Sequence, residues 1–210
     1  MYFSFQNVVI LFSLIMWVIA FFDNLVAMEA IWRRSDTFAH GYFVLPIVLW
    51  LFWRDRAYLL NSNTQTSLLA VPFIIGSLCL SLFAYATDIN VLGQLSAVLA
   101  LISLVWLVLG NKLAWHYKFP LAYLIFLVPM GENFIPQLQD ITAWFTVEFL
   151  KLHGIPVFRD GLYLQIPNGL FEVAVACSGI RYLIASVAVG TLFAYLSYNS
   201  FKKQFIFFLF

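Results

Sequence analysis

Residues 168–197 read NGLFEVAVACSGIRYLIASVAVGTLFAYLS. This predominantly apolar stretch exceeds the about 20 residues that a helix needs to span the hydrocarbon core of a bilayer. It contains Cys177, Ser178 and Gly179 in succession, followed by Arg181. A charged side chain inside a membrane span costs at least about 2.5 kcal/mol, so such a residue indicates a functional site. We therefore predict a spanning helix that carries a reactive polar group near its start.

Cys177 and Arg181 are four positions apart, a spacing that places two side chains on one face of a helix. A guanidinium beside a thiol favours the thiolate, which is the nucleophilic form. This pair predicts a membrane-embedded cysteine enzyme with Cys177 and Arg181 as catalytic residues. The residues alone leave a structural alternative open, in which Arg181 pairs with Glu172 or Glu132. The other cysteine, Cys79, is typical of a small residue at a membrane helix interface.

The composition indicates a membrane protein with several spans and an all-α fold. Hydrophobic residues make up 63% of the chain and charged residues 10%, whereas soluble domains have about 25% charged residues. The net charge of +1 gives no indication of a nucleic-acid partner. The zinc-protease motif HExxH and phosphate-binding loops are absent from the sequence, so we predict no metal and no cofactor.

We treat residues 1–210 as a single transmembrane domain with six complete spans and the beginning of a seventh at 204–210. Because seven residues cannot cross a bilayer, we expect the full-length protein to continue past Phe210. With the N-terminus in the cytoplasm, six lysines and arginines of the loops face inward and four face outward, which places Cys177 outside. The predicted spans are 5–27, 41–53, 67–86, 90–110, 119–130 and the helix within 168–197.

Residues 131–167 are predicted to form a surface insertion on the outer side. Residues 136–152 are typical of an amphipathic helix that lies on the bilayer surface. The sequence VFRDGLYLQI (157–166) alternates around Asp160 and Gly161, which predicts a β-hairpin with these two residues in the turn. The apolar positions of the helix recur at helical spacing: Leu138, Ile141, Phe145, Phe149 and Leu152.

The three histidines give weaker signals. His40 begins the second span at the outer interface. Two interpretations of His40 remain open there: a hydrated interfacial histidine, or a proton-transfer group for the cysteine. His116 falls on the opposite side of the membrane and His153 lies in the surface helix. Neither is a strong candidate for a general base.

Two longer segments resemble the exosortase family. Residues 38–56, FAHGYFVLPIVLWLFWRDR, fit its pattern H-G-x-x-x-x-P-I-x-x-x-L-x-W-x-x-R. Residues 119–196 are similar to the family core and include GIPVFRDG (154–161) and ACSGIR (176–181). The resemblance covers most of residues 38–204.

The resemblance implies a multi-pass enzyme of the Gram-negative inner membrane whose active site faces the periplasm. Its partners would be exported proteins with a C-terminal sorting tail (PEP-CTERM), the lipid bilayer and the machinery of exopolysaccharide biosynthesis. It implies that Cys177 cleaves this tail through an acyl-thioester and transfers the new carboxyl end to an acceptor. Arg181 belongs to the same motif and would favour the thiolate or bind the scissile carbonyl.

One departure from the family qualifies these expectations. The family also uses an arginine in an Asn-x-x-Arg motif on the next span, and a later histidine or arginine. Both positions would lie beyond Phe210, so we expect the given chain to be a fragment and inactive alone. The alternative function is that of a membrane transporter or a lipid or polysaccharide-assembly component, in which Arg181 is a structural counter-ion.

Overall fold

The computed structural model describes residues 5–62, 66–198 and 204. The chain divides into two compact units, Met1–Pro129 and Met130–Phe210. Helices dominate both units, as the composition predicts, and within the described residues the second unit alone contains a small β-sheet.

The first unit is built around one long helix, α6. This helix contacts α1, α2, α5 and α7, and α5 packs beside it as an antiparallel neighbour after a tight turn at Asp88. Short 3-10 segments at Leu68–Ala70 and Leu124–Leu127 precede α5 and follow α7. The helices are α1 (Phe5–Ala20), α2 (Phe22–Arg34), α3 (Gly41–Arg54), α4 (Arg56–Asn61), α5 (Val71–Thr87), α6 (Asn90–His116) and α7 (Lys118–Tyr123).

The predicted first span, 5–27, is broken in the structure. Helices α1 and α2 meet at Phe21 at an angle of 71°. The Phe21 side chain is buried against Ala97 and Ala100 of α6. The neighbouring Trp17 indole donates a hydrogen bond to the Ala97 carbonyl at 2.9 Å. Since the sequence has no proline or glycine at this point, these tertiary contacts explain why the bend was not predicted.

Within the described residues, three helices are long and apolar enough to cross a membrane: Leu68–Thr87, Asn90–His116 and Ile180–Ser197. The bent pair of α1 and α2 would make a fourth span if it is counted as one. The predicted span 90–110 ends where α6 breaks, at Gly110 with φ of 76°.

The predicted count of six complete spans is therefore not confirmed. Helix α3 has 14 residues and is about 21 Å long, short of the about 30 Å of a hydrocarbon core. The predicted span 119–130 corresponds to the short apolar helix Lys118–Leu127. The predicted start of a seventh span falls on 204–210, of which only Gln204 is among the described residues.

The second unit consists of a helix packed on a sheet, followed by a spanning helix. Helix α8 (Ile135–Leu152) comes first, after a short 3-10 turn at Glu132–Phe134. Strands β1 (Phe158–Asp160), β2 (Tyr163–Ile166) and β3 (Gly169–Glu172) form an antiparallel sheet in the order β1-β2-β3. A 3-10 helix, Val175–Ser178, then leads into α9 (Ile180–Ser197).

The predicted amphipathic helix 136–152 is present as α8. Its small and polar face packs inward, where Ala143 and Val147 contact Leu164 and Val173 of the sheet region. Its large apolar face points away from the second unit: four side chains are 51–64% exposed, namely Ile141, Trp144, Phe145 and Phe149. An outward apolar stripe of this kind suits a helix whose environment on that side is lipid.

The predicted hairpin is present, with its turn one position later than expected. Asp160 pairs with Tyr163, so the turn residues are Gly161 and Leu162. A third strand was not predicted: β3 pairs with β2 through a second two-residue turn, and Ile166 pairs with Gly169. The span predicted within 168–197 consequently begins at Ile180.

Gly154 and Arg159 of the GIPVFRDG segment have structural roles. Gly154 has φ of 72°, and its amide and that of Ile155 bond to the carbonyls of Lys151 and Leu150, which closes the C-terminus of α8 in a Schellman motif. Arg159 donates from Nε to the Gly161 carbonyl at 2.8 Å and forms an ion pair with Asp140 of α8. The hairpin is thus fixed to the helix that precedes it.

Replacing Gly154 with alanine should lower the free energy of unfolding by about 1 kcal/mol, because a left-handed conformation strains any residue with a Cβ. The control is Gly76→Ala in α5. Both positions have open space around a new Cβ, but only Gly154 has a positive φ. Gly76→Ala should be neutral or stabilising by up to about 1 kcal/mol. Thermal unfolding in detergent, followed by tryptophan fluorescence, measures both variants, and equal effects would contradict this interpretation.

Arg159→Met should destabilise the hairpin by about 1–2 kcal/mol, because it removes a charge-assisted bond to the turn and the pair with Asp140. Hydrogen exchange of residues 158–166 measures this loss. Lys151→Met is the matched control, since it removes an exposed pair with Glu148 that is worth at most about 0.5 kcal/mol. If Lys151→Met accelerates exchange in the hairpin as much as Arg159→Met does, the assigned role of Arg159 is wrong.

Candidate active site

Cys177 lies in the short connection between the sheet and α9. After β3 ends at Glu172, the chain leaves the sheet and forms the 3-10 helix Val175–Ser178, in which the Cys177 amide donates to the Ala174 carbonyl at 2.9 Å. The Cys177 side chain is exposed, and this residue forms no disulfide. The cysteine therefore stands at the entrance to a helix that is long enough to span a membrane.

Gly179 separates the cysteine from that helix. It has φ of 69°, and a Cβ at this position would meet nothing within 4 Å, so a left-handed backbone conformation is what favours glycine here. The Gly179 carbonyl accepts the amides of Tyr182 and Leu183, which starts α9. Cys177 and Arg181 consequently belong to different elements. The prediction that they share one helix face is wrong, because the chain changes direction at Gly179.

Arg181 occupies the first turn of α9, and its side chain is exposed. This position is at the start of the candidate span Ile180–Ser197, where a charged group can reach the membrane–water interface. The catalytic roles predicted for Cys177 and Arg181 stay predictions.

Helix α8 holds the cysteine segment through two side chains. The Gln139 amide donates to the Val173 carbonyl at 2.8 Å, and Gln139 is only 6% exposed. The Thr142 hydroxyl donates to the Cys177 carbonyl at 3.1 Å. The two residues are three positions apart and so lie on the same side of α8. The backbone just before the 3-10 helix, at Val173, and within it, at Cys177, is thereby attached to α8.

A mostly apolar groove opens beside the cysteine. Its volume is about 260 Å³, and it runs between α8 and the inner face of the sheet. A groove of this size and polarity can accept a small apolar group next to a reactive side chain. Its walls include Thr142 and Thr146 of α8, Leu164 and Phe171 of the sheet, and Cys177.

The second cysteine has different surroundings. Cys79 lies in the middle of α5, within the candidate span Leu68–Thr87 of the first unit. It is exposed on the surface of that apolar helix and forms no disulfide. Cys79 therefore provides a natural control for thiol chemistry at Cys177.

The histidines have local partners. His40 precedes α3 in the first unit, and its Nδ1 is 3.2 Å from the Thr37 carbonyl. His116 stacks on Tyr58 with 4.0 Å between ring centroids, and its Nε2 is 3.9 Å from an Asp55 carboxylate oxygen. Among the residues that the structure describes, no group of three His, Cys, Asp or Glu side chains could hold a metal ion.

The residues of the first quoted segment, 38–56, make structural contacts. Gly41 lies against the Trp32 ring, where a Cβ would come within 2.5 Å of the ring. The Trp32 indole in turn donates to the Leu127 carbonyl at 3.0 Å. Near the end of the segment, the Arg56 guanidinium lies 4.5 Å from the centre of the Trp53 ring, a cation–π arrangement typical of a membrane interface.

The sequence interpretation missed Gln139 and Thr142. Neither residue is among the apolar positions that predicted the amphipathic helix, and neither was considered as part of the site. Their spacing of three was the available signal, since a pair at this spacing on one helix face is suited to hold a single neighbouring segment. What they bind could not be predicted, because β3 and the short turn after it were read as part of the spanning helix.

Comparison with protein families gives a match over most of the chain. A family model described as transmembrane exosortase matches residues 32–210, which include both quoted segments and the cysteine segment. No curated protein and no solved structure matches the chain significantly. The family model covers well over half of the sequence and confirms the resemblance on which the expectations were based. This chain belongs to the transmembrane exosortase family.

Proposed function

We propose that the protein is a membrane cysteine enzyme that cleaves the C-terminal sorting tail (PEP-CTERM) of exported proteins. The observation that carries the proposal is the exposed Cys177 beside an apolar groove, at the entrance to a membrane-spanning helix. Membership of the exosortase family supports this reaction class. We place the enzyme in the inner membrane with its active site on the periplasmic side.

The chemistry proceeds in two steps. The Cys177 sulfur attacks the carbonyl carbon of the scissile peptide bond and forms a C–S bond and a tetrahedral oxyanion. When this intermediate collapses, the C–N bond breaks, the amine leaves with the proton that the Cys177 thiol has given up, and the substrate's upstream portion remains as an acyl-thioester. Water or an acceptor amine then attacks the thioester, which releases the Cys177 sulfur and completes hydrolysis or transfer.

Positive groups at the start of α9 would stabilise the oxyanion. The backbone amides of the first turn of a helix carry a partial positive charge. Arg181 adds a full charge in that same turn. We assign Arg181 the role of binding the scissile carbonyl as negative charge develops on its oxygen.

The membrane supplies the geometry for substrate approach. The exposed apolar face of α8 would lie in the outer interface, with α8 parallel to the bilayer surface. A substrate whose own tail spans the membrane would then diffuse laterally and present the residues before its span at the depth of Cys177. The apolar groove would hold one side chain of that segment.

Cys177→Ala should abolish processing of a sorting-tail substrate, while Cys79→Ala should retain activity within about twofold. The measurement is cleavage of a tagged substrate in cells that produce the full-length protein, with membrane levels of each variant checked. Loss of activity in both variants, or in neither, would contradict the assignment. Full activity of Cys177→Ser would instead favour the transporter or assembly alternative, in which Arg181 acts and the thiol does not.

A further inference from the structure

We infer that Thr142 and Gln139 of α8 are positioning residues that fix the backbone of the cysteine segment, Val173–Cys177. The inference rests on the proposed function for its effect on activity, but its structural part can be tested separately. Neither residue is assigned a role in the reaction itself. Each acts on Cys177 through a backbone carbonyl.

The cysteine segment depends on α8 because it has already left the sheet. At its start, the Val173 amide still bonds to the Leu162 carbonyl at 2.9 Å, and the Val173 carbonyl accepts Gln139. At its end, the Cys177 carbonyl accepts Thr142. Between these points, the turn is closed by the single bond from the Cys177 amide to Ala174. Two side chains of one rigid helix thus fix both ends of a short, non-sheet connection.

Gln139 stabilises the fold at the start of the cysteine segment. Its side chain is buried and donates to the carbonyl of Val173, which is itself buried. Removal of the amide would leave a buried carbonyl without its partner, so a Gln139 variant is expected to disturb folding. Thr142 is therefore the better residue for a test of positioning.

Thr142 differs from Thr146, four residues later in α8, in its hydrogen bonding. Its hydroxyl is within hydrogen-bond distance of two carbonyls, that of Leu138 at 2.9 Å in its own helix and that of Cys177 at 3.1 Å. A hydroxyl has one proton, so the two carbonyls share it. Thr146, one turn later in the same groove wall, bonds within the helix, to the Thr142 carbonyl at 2.8 Å, and to no other group in the part of the chain that the structure describes. The bond to Cys177 is the difference between the two threonines.

That bond sets the orientation of the peptide unit after Cys177. The Cys177 carbonyl and the Ser178 amide belong to one planar unit, so fixing the carbonyl fixes the plane and limits how the cysteine's Cα can rotate. A nucleophile needs its reacting atom within a few tenths of an ångström of the productive position. Loss of the bond should slow the chemical step more than it weakens substrate binding.

The test uses Thr142→Val, Thr142→Ser and Thr146→Val in the full-length protein. Valine keeps the shape of threonine and removes the hydroxyl, whereas serine keeps the hydroxyl. For Thr142→Val we expect amide exchange in residues 173–179 to accelerate about three- to tenfold and kcat for processing to fall by a similar factor, with KM changed less than about twofold. Thr142→Ser should resemble the wild type in both measurements, and Thr146→Val, which lies in the wall of the groove, should resemble it in amide exchange.

The outcomes separate this inference from the proposed function. If Thr142→Val cannot be distinguished from Thr146→Val in exchange, or from Thr142→Ser in kcat, the positioning role is refuted, even where Cys177 proves essential. If exchange responds to Thr142→Val but Cys177→Ala leaves processing intact, α8 does hold the segment and the proposed function is refuted. Equal changes in KM and kcat with no rescue by serine would assign Thr142 a general structural role and overturn the inference.

Discussion

The position of Cys177 depends on the packing of α8, a helix with two different faces. One face carries small and polar residues, which allow close contact with the sheet and supply the donors for the cysteine segment. The other face carries aromatic and aliphatic side chains that remain exposed. A helix of this kind can be held by lipid on one side and by protein on the other. Under the proposed function, this packing would hold the Cys177 thiol at the depth of the interface, in a connection that precedes the spanning helix.

Several features of the fold could be predicted from the sequence. The 3.6-residue periodicity predicted α8, and alternation around a glycine predicted the hairpin, because both patterns reflect which side chains one face of an element buries. The composition predicted a membrane protein. The turn between α5 and α6 was also expected, since polar residues interrupt two long apolar runs at 87–90.

Other features depend on tertiary contacts that leave no local signal. The segment Gly169–Glu172 is short and apolar, and such a segment reads equally well as strand or as the start of a helix. The break between α1 and α2 follows from the burial of Phe21 against α6. Cys177 and Arg181 could be chosen as candidate site residues from the sequence. Their separation by the left-handed Gly179 could not be predicted, because a glycine is also tolerated inside a membrane helix.

The central claim is that the substrate becomes attached to Cys177, and the most direct measurement is capture of that intermediate. The full-length protein would be mixed with a sorting-tail substrate, quenched in acid, digested and analysed by mass spectrometry. We predict an adduct of the substrate's upstream fragment on the peptide that contains Cys177, released by neutral hydroxylamine as a thioester is. Substrate cleavage without this adduct, or with an adduct on another residue, would contradict the account.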